Sequence, residues 1–169
     1  MMKMNSFPEE SYCWMFATRT PLTAAQQNEL HAAFDTFEPG WVSHGRRVRG
    51  ALQIVHDRFI VLIGDRGDGQ LSGCGIDQGI RALHQAIEVA SIALAGPLDI
   101  LYISREGAWD VVSRSAFRQM AREYEVLADT PVADLSKVVR LADFRAQRWI
   151  TVVSESWHAR FLPSETVPN

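Results

Sequence analysis

The chain has 169 residues, 47% hydrophobic and 22% charged, which fits one globular domain that buries about 70% of its unfolded surface without a staple. A net charge of −3 argues against a broad role in coating nucleic acid. Two cysteines, Cys13 and Cys74, are too few for a disulfide framework, and no signal peptide or bilayer-length apolar run is visible, so a cytoplasmic protein with reduced thiols and no membrane association is expected.

Tyr12 to Thr18 is apolar on both alternating faces and reads as a strand buried on both sides. After Pro21, Thr23 and Gln26 form a capping-box pattern, and Leu30, Ala33, Phe34 and Phe37 mark one helical face ending before Pro39-Gly40. Trp41 to Gly45 reads as a loop. Val48 to His56 alternates with period two, the pattern of an edge or half-exposed strand. Phe59 to Ile63 is a continuous β-branched and apolar run, the pattern of a central strand. A polar glycine-rich loop, Gly64 to Gly69, follows.

The next helix has the clearest apolar stripe: Ile76, Ile80, Leu83, Ile87, Ala90 and Leu94. Asp77 is expected in its first turn, and Gly96-Pro97 is expected to stop it. Leu98 to Ser104 is the next strand. The order strand, helix, strand, strand, helix, strand predicts an α+β fold with a ferredoxin-like βαββαβ core at 10–105. Its central strands are apolar on the face away from the helices, so that face needs a cover. The cover is expected to be either an α/β C-terminal extension, 106–162, in the same domain, or a second copy of the chain. In the extension, Ser115 can cap a helix bearing Phe117, Met120, Ala121 and Tyr124. Val132 to Val139 and Trp149 to Val153 read as short strands, Leu141 to Ala146 is ambiguous, and 163–169 reads as a flexible tail.

Ser72-Gly73-Cys74-Gly75-Ile76-Asp77 is the candidate site. A thiol at a helix start sees the positive end of the dipole, which favours a nucleophilic thiolate. Gly73 and Gly75 allow a nest of N–H donors for an anion. The competing reading is a small residue filling a strand-to-helix corner. His44 and His158 each follow a tryptophan closely, and either can serve as base to the thiol; each can equally be a surface residue beside an aromatic anchor, Trp41 or Trp157. His31, His56 and His84 read as packed or half-exposed helix and strand residues. As a strand, Trp157 to Phe161 would present His158 and Arg160 on one face; as a helical turn, Trp157 and Phe161 would pair and His158 and Arg160 diverge. Arg46, Arg47 and Arg49 read as edge-strand decoration more readily than as phosphate contacts. No spacing fits a zinc or calcium site, so no metal and no cofactor are expected.

Trp41-x-x-His44-Gly45, Ser72-Gly73-Cys74-x-Ile76-Asp77 and Ser156-Trp157-His158-Ala159-Arg160-Phe161 together resemble a small bacterial family of unknown function, over about residues 14–162. Its members are often labelled "ABC transporter ATPase". That label does not fit: a P-loop needs a lysine in its glycine-rich turn, and the only lysines are Lys3 and Lys137. In the family the cysteine is typically followed by serine; here the position is Gly75. The resemblance implies that His44, Cys74, Asp77, His158 and Arg160 lie in family-defining stretches, and it supplies no reaction.

Two readings follow. One is a small-molecule or anion-binding site, thiol-dependent or not, with Cys74, His44 and His158 in catalytic roles and Ser72, Gly73, Gly75, Asp77, Arg160, Trp157 and Trp41 as ligand contacts. The other is a non-catalytic ferredoxin-like interaction or dimerisation module. Whether the chain is an enzyme is left open. A small anionic ligand or a homodimer is the expected partner; RNA binding, through the sheet or the Arg46–Arg49 edge, is a weaker third reading.

Overall fold

The computed structural model describes residues 4–67 and 70–163, an α+β arrangement of helices and antiparallel sheets. Its first sheet is centred on Phe59–Asp65 (β5), the β-branched run, which has six of its seven residues buried. Tyr12–Ala17 (β1) and Arg49–Val55 (β4) pair antiparallel with it on either side. Residues of β1 alternate, as strand geometry requires: Tyr12, Trp14 and Phe16 pack on one core, and Cys13, Met15 and Ala17 on another.

Helices Ala24–Phe37 (α1) and Gly73–Val89 (α2) cover one face of this sheet, where Leu30, Phe34, Leu52, Leu62, Leu83 and Ile87 share a core. The capping box of α1 is present: the Thr23 hydroxyl accepts from the Gln26 N–H at 3.2 Å, and Gln26 Oε1 accepts from the Thr23 N–H at 3.1 Å. Ala33 is exposed rather than part of the buried stripe. Helix α2 stops at Val89, short of Gly96-Pro97, and Ser91 turns left-handed with φ 52°. The residues a longer helix would have kept serve the outer edge of β1 instead. Arg19 N–H donates to Ala93 C=O, and Ala95 N–H to Ala17 C=O, both at 2.8 Å.

Asp99–Ile103 (β6), expected beside β1, lies in a second sheet. Its partners are Trp109–Ser113 (β7) and Pro131–Ala133 (β8), with Ile150–Val152 (β9) beyond, in the order β7-β6-β8-β9. The physical reason is that both edges of β6 are taken: a tight turn through Gly107, at φ 79°, folds β7 back onto one, and β8 pairs with the other. The place beside β1 holds only isolated bridges, Leu94 to Thr18 at one end and Arg140 to Tyr12 at the other.

The second sheet and a short helix, Leu141–Arg145 (α4), cover the other face of the first sheet. Met15, Phe59, Val61 and Ile63 meet Leu101, Trp109, Leu141 and Trp149 there. Phe59 alone meets Trp109 at 5.1 Å and Trp149 at 4.9 Å between ring centroids. No second copy of the chain is required to cover the face. Arg114–Arg122 (α3) and the terminal turn pack on the outer side of the second sheet, through Ile100, Phe117, Val132, Val153 and Phe161. The order of layers is therefore helices, sheet, sheet, helix.

Several C-terminal expectations shift. Ser113, not Ser115, caps α3, accepting from Ala116 N–H at 3.2 Å. The helix ends at Arg122, and Tyr124 is left-handed and exposed. The strand expected at 132–139 shortens to Pro131–Ala133 because Asp134 caps a 3-10 turn at Leu135–Lys137. Of the expected tail and the glycine-rich loop, 164–169 and 68–69 lie outside the described residues. Among the described residues no helix is long and apolar enough to cross a membrane.

Candidate functional site

The stretch after α1 is a hairpin rather than a loop. Val42–Ser43 (β2) pairs with Arg46–Arg47 (β3). His44 and Gly45 sit at the turn with φ 50° and 72°, the two left-handed positions a tight primed turn demands. Histidine tolerates that region better than most residues, so His44 has a turn role that its neighbour Gly45 shares.

This hairpin docks on the first turns of α2. Trp41 is wholly buried, and its indole N–H donates to the Gly75 C=O at 2.7 Å. Its ring fills a cradle of glycine backbones: a Cβ on Gly50, Gly64 or Gly79 would lie 2.9, 2.8 or 2.4 Å from a ring atom. Ser43 Oγ accepts from Ser72 N–H at 2.9 Å and lies 3.0 Å from Ser72 Oγ. Ser72 in turn caps α2, accepting from Gly75 N–H at 3.1 Å. Val42 N–H donates to Gln78 Oε1 at 3.2 Å. A Cβ on Gly75 would meet Ser43 Cβ at 2.8 Å, so glycine at this position lets the hairpin close. Trp41, Gly75 and Ser72, expected as ligand contacts, are used in packing and capping.

Cys74 is the second residue of α2 and is exposed, as are Gly73 and His44. Nothing lies within 4 Å of where a Gly73 Cβ would be. Asp77 is exposed and is the fifth residue of α2, beyond its first turn, because the helix begins at Gly73. Beside the hairpin, a cavity of about 720 Å³ is lined by Phe34, Glu38, Arg47 and Arg49 among others. Its arginines are engaged: Arg47 pairs with Glu38 at 3.0 Å, and Arg49 with Asp65. The other thiol, Cys13, is buried, and burial pushes its pKa up to about 12. Among the described residues no group of three His, Cys, Asp or Glu could hold a metal ion.

The terminal stretch takes the helical alternative. Trp157–Phe161 is a 3-10 turn capped by Ser156, and the Trp157 and Phe161 rings meet edge to face at 5.8 Å. His158 is 1% exposed and packs against Phe117. The Ser156 hydroxyl donates to Val153 C=O at 3.0 Å and lies 2.9 Å from His158 Nδ1. Burial pushes the imidazole down to about 4, with Arg160 and Arg114 acting in the same sense and Asp134 against it. The ring is therefore neutral near pH 7. Arg160 diverges into solvent over the Trp157 ring, 4.7 Å from its centroid.

The structure thus brings His44, Ser72, Gly73, Cys74, Gly75, Asp77 and Trp41 to one corner and places Trp157, His158 and Arg160 elsewhere. Cys74 belongs to the α1/α2 layer and His158 to the α3 layer, with both sheets between them. Sequence reasoning passed over Arg114 and Arg118, which share the Trp157 and Phe161 rings with Arg160, and Arg122 one turn further along α3; their four-residue spacing was the available signal. It also passed over Arg58, buried, whose guanidinium donates to Thr18 and Arg19 C=O at 2.9 and 2.7 Å. In comparisons with protein-family models, curated proteins and solved structures, nothing matches this chain.

Proposed function

We propose that the chain is a non-catalytic interaction module, built on a ferredoxin-like unit whose fourth strand has been drawn into a second sheet. The order β1-β5-β4 supports that kinship, being first, third, second of a ferredoxin-like sheet. The observation that carries the functional reading is the separation of the buried, neutral His158 from the exposed Cys74 by two sheets. An exposed thiol gains nothing in reactivity from a histidine two sheets away. In the bacterial family that the three stretches resemble, the first two stretches would then serve as a docking device for a hairpin.

The experiment is the double substitution C74A/H44N, which keeps a residue tolerant of left-handed backbone at the turn. Expected are a melting temperature within about 2 °C of the unsubstituted chain, since both sites are exposed surface, and full complementation of cells lacking the chain. A variant that is equally stable and fails to complement overturns the reading. It would favour the second one: a thiol-dependent anion site at Cys74 with His44, which the shared exposure of both residues at one corner and the open flank of Gly73 support.

A further inference from the structure

Arg114, Arg118 and Arg122 recur every four residues along α3, so they share one side of the helix and rise about 6 Å per step. Arg160 reaches the same place from the terminal turn. The Arg114 and Arg160 guanidinium carbons lie 5.3 and 4.7 Å from the Trp157 ring centroid. Those of Arg118 and Arg160 each lie 5.5 Å from that of Phe161. Arg19, Arg47, Arg49, Arg58 and Arg148 all have a carboxylate partner. Among the described residues no such ion pair joins Arg114, Arg118, Arg122 or Arg160. Nε of Arg114 is buried without a hydrogen-bond partner, while one of its terminal N–H groups donates to Pro97 C=O at 3.2 Å.

Stacking on an aromatic ring holds the plane of a guanidinium and leaves its N–H edge for two-pronged bonding to an oxyanion. These four are strung along a surface, so they suit a repeating oxyanion better than a single small one. Arginine without lysine, backed by aromatics, suits phosphate together with an unstacked base, because a base can lie on a guanidinium plane. Trp157, 38% exposed, adds an aromatic rim. The net charge of −3 does not oppose this, because charges farther than about 8 Å are largely screened at physiological salt.

We propose that the face formed by α3 and the terminal turn binds the phosphate backbone of a single-stranded nucleic acid. The proposal rests on the interaction-module reading and names its partner. The test is fluorescence anisotropy of labelled twelve-nucleotide oligouridine and oligothymidine with the full chain. Binding is expected at 50 mM salt, with log K falling against log salt at a slope of about −2 to −3, the value for three or four phosphates on a single strand. R118E/R122E should weaken binding at least about tenfold and flatten the slope, with its urea midpoint unchanged because both side chains are exposed. R47E/R81E, with the same charge change on the opposite side, should stay within about twofold. The milder R118Q/R122Q replaces the first variant should it fold poorly. Tighter binding of one oligonucleotide assigns RNA or DNA. Absence of binding, equal loss in both charge-swap variants, or equal competition by polyglutamate or by anionic vesicles overturns the proposal. Such a failure leaves the non-catalytic reading standing, because that reading is decided by C74A/H44N.

Discussion

Adding one methyl group at Gly79 should measure how tightly the hairpin is keyed into α2. In Gly79→Ala the new Cβ would stand 2.4, 2.9 and 3.0 Å from three atoms of the Trp41 indole. The ring has nowhere to retreat: the Gly50 and Gly64 backbones close the other sides, and the indole N–H is held by the Gly75 C=O at 2.7 Å. Overpacking of this kind costs about 1–3 kcal/mol, and loss of the indole hydrogen bond about 1 kcal/mol more. Alanine returns about 1 kcal/mol through helix propensity. The net expectation is a loss of about 2 kcal/mol, or a melting temperature lower by about 4–8 °C in a chain of this size. Gly73→Ala is the control, since nothing stands within 4 Å of its Cβ. It should be neutral or stabilise by up to about 1 kcal/mol. Urea unfolding of both variants decides the matter, and W41F/G79A should be less damaged than the sum of its parts. A Gly79→Ala chain as stable as the parent would refute the keyed-cradle account.

Acid should loosen the terminal turn. His158 titrates at about 4 in the fold against its ordinary 6.5, so protonation favours the unfolded chain. Stability should be intact above pH 6.5 and fall as pH drops from 6.5 to about 4, by about 3 kcal/mol in total. His158→Gln should remove that slope in urea titrations run at several pH values; an unchanged slope assigns the acid sensitivity to other groups. Arg58→Ala should cost about 3 kcal/mol by stranding the Thr18 and Arg19 carbonyls, and urea unfolding reads it directly; a cost under about 0.5 kcal/mol, the range of ordinary surface substitutions, would refute the anchoring role. A thiol reagent should count one cysteine in the native chain, Cys74, and two after unfolding, since Cys13 is buried with its pKa near 12. Two fast-reacting native thiols would contradict the packing of β1.

Local signals reached the first half of the chain well. The capping box at Thr23, the central position of the Phe59 strand and the apolar stripe of α2 follow from residue type and period alone. They failed where a long-range partner decides. No glycine or proline near Val89 announces the end of α2; a left-handed Ser91 closes it, with Ile92 N–H donating to Ile87 C=O at 3.0 Å, and the backbone of Ala93 and Ala95 then serves the edge of β1. Nothing in Leu98 to Ser104 says which sheet it joins; its two edges are filled by β7, brought back by the Gly107 turn, and by β8 from thirty residues on. The need for a cover over the far face of β1 and β5 was legible, because their inward and outward positions are both apolar. The convergence of Trp41 on Gly50, Gly64 and Gly79 was not, because a glycine that makes room for a ring many residues away looks like any other glycine.

The three motif stretches contain two kinds of residue once their contacts are known. Trp41, Ser43, Ser72 and Gly75 are used in hairpin docking, and His158 is buried beneath its own turn. The side chains left facing solvent include His44, Cys74 and Asp77 at one corner, with the exposed Gly45 and Gly73 beside them, and Trp157 and Arg160 on the far layer. Both sheets separate these groups, so no small ligand can touch both. A requirement for both corners in cells would therefore mean two binding events or one extended partner. The charge pattern assigns the long-partner role to the arginine face, where α3 supplies three further guanidinium groups in register with Arg160. At the cysteine corner the neighbouring charges are Asp77 and the hairpin arginines Arg46 and Arg47, the latter paired with Glu38, a shorter cationic set with a carboxylate beside it. The two faces should therefore differ in salt dependence: loss of the arginine face weakens binding most at low salt, and loss of Cys74 has no such dependence.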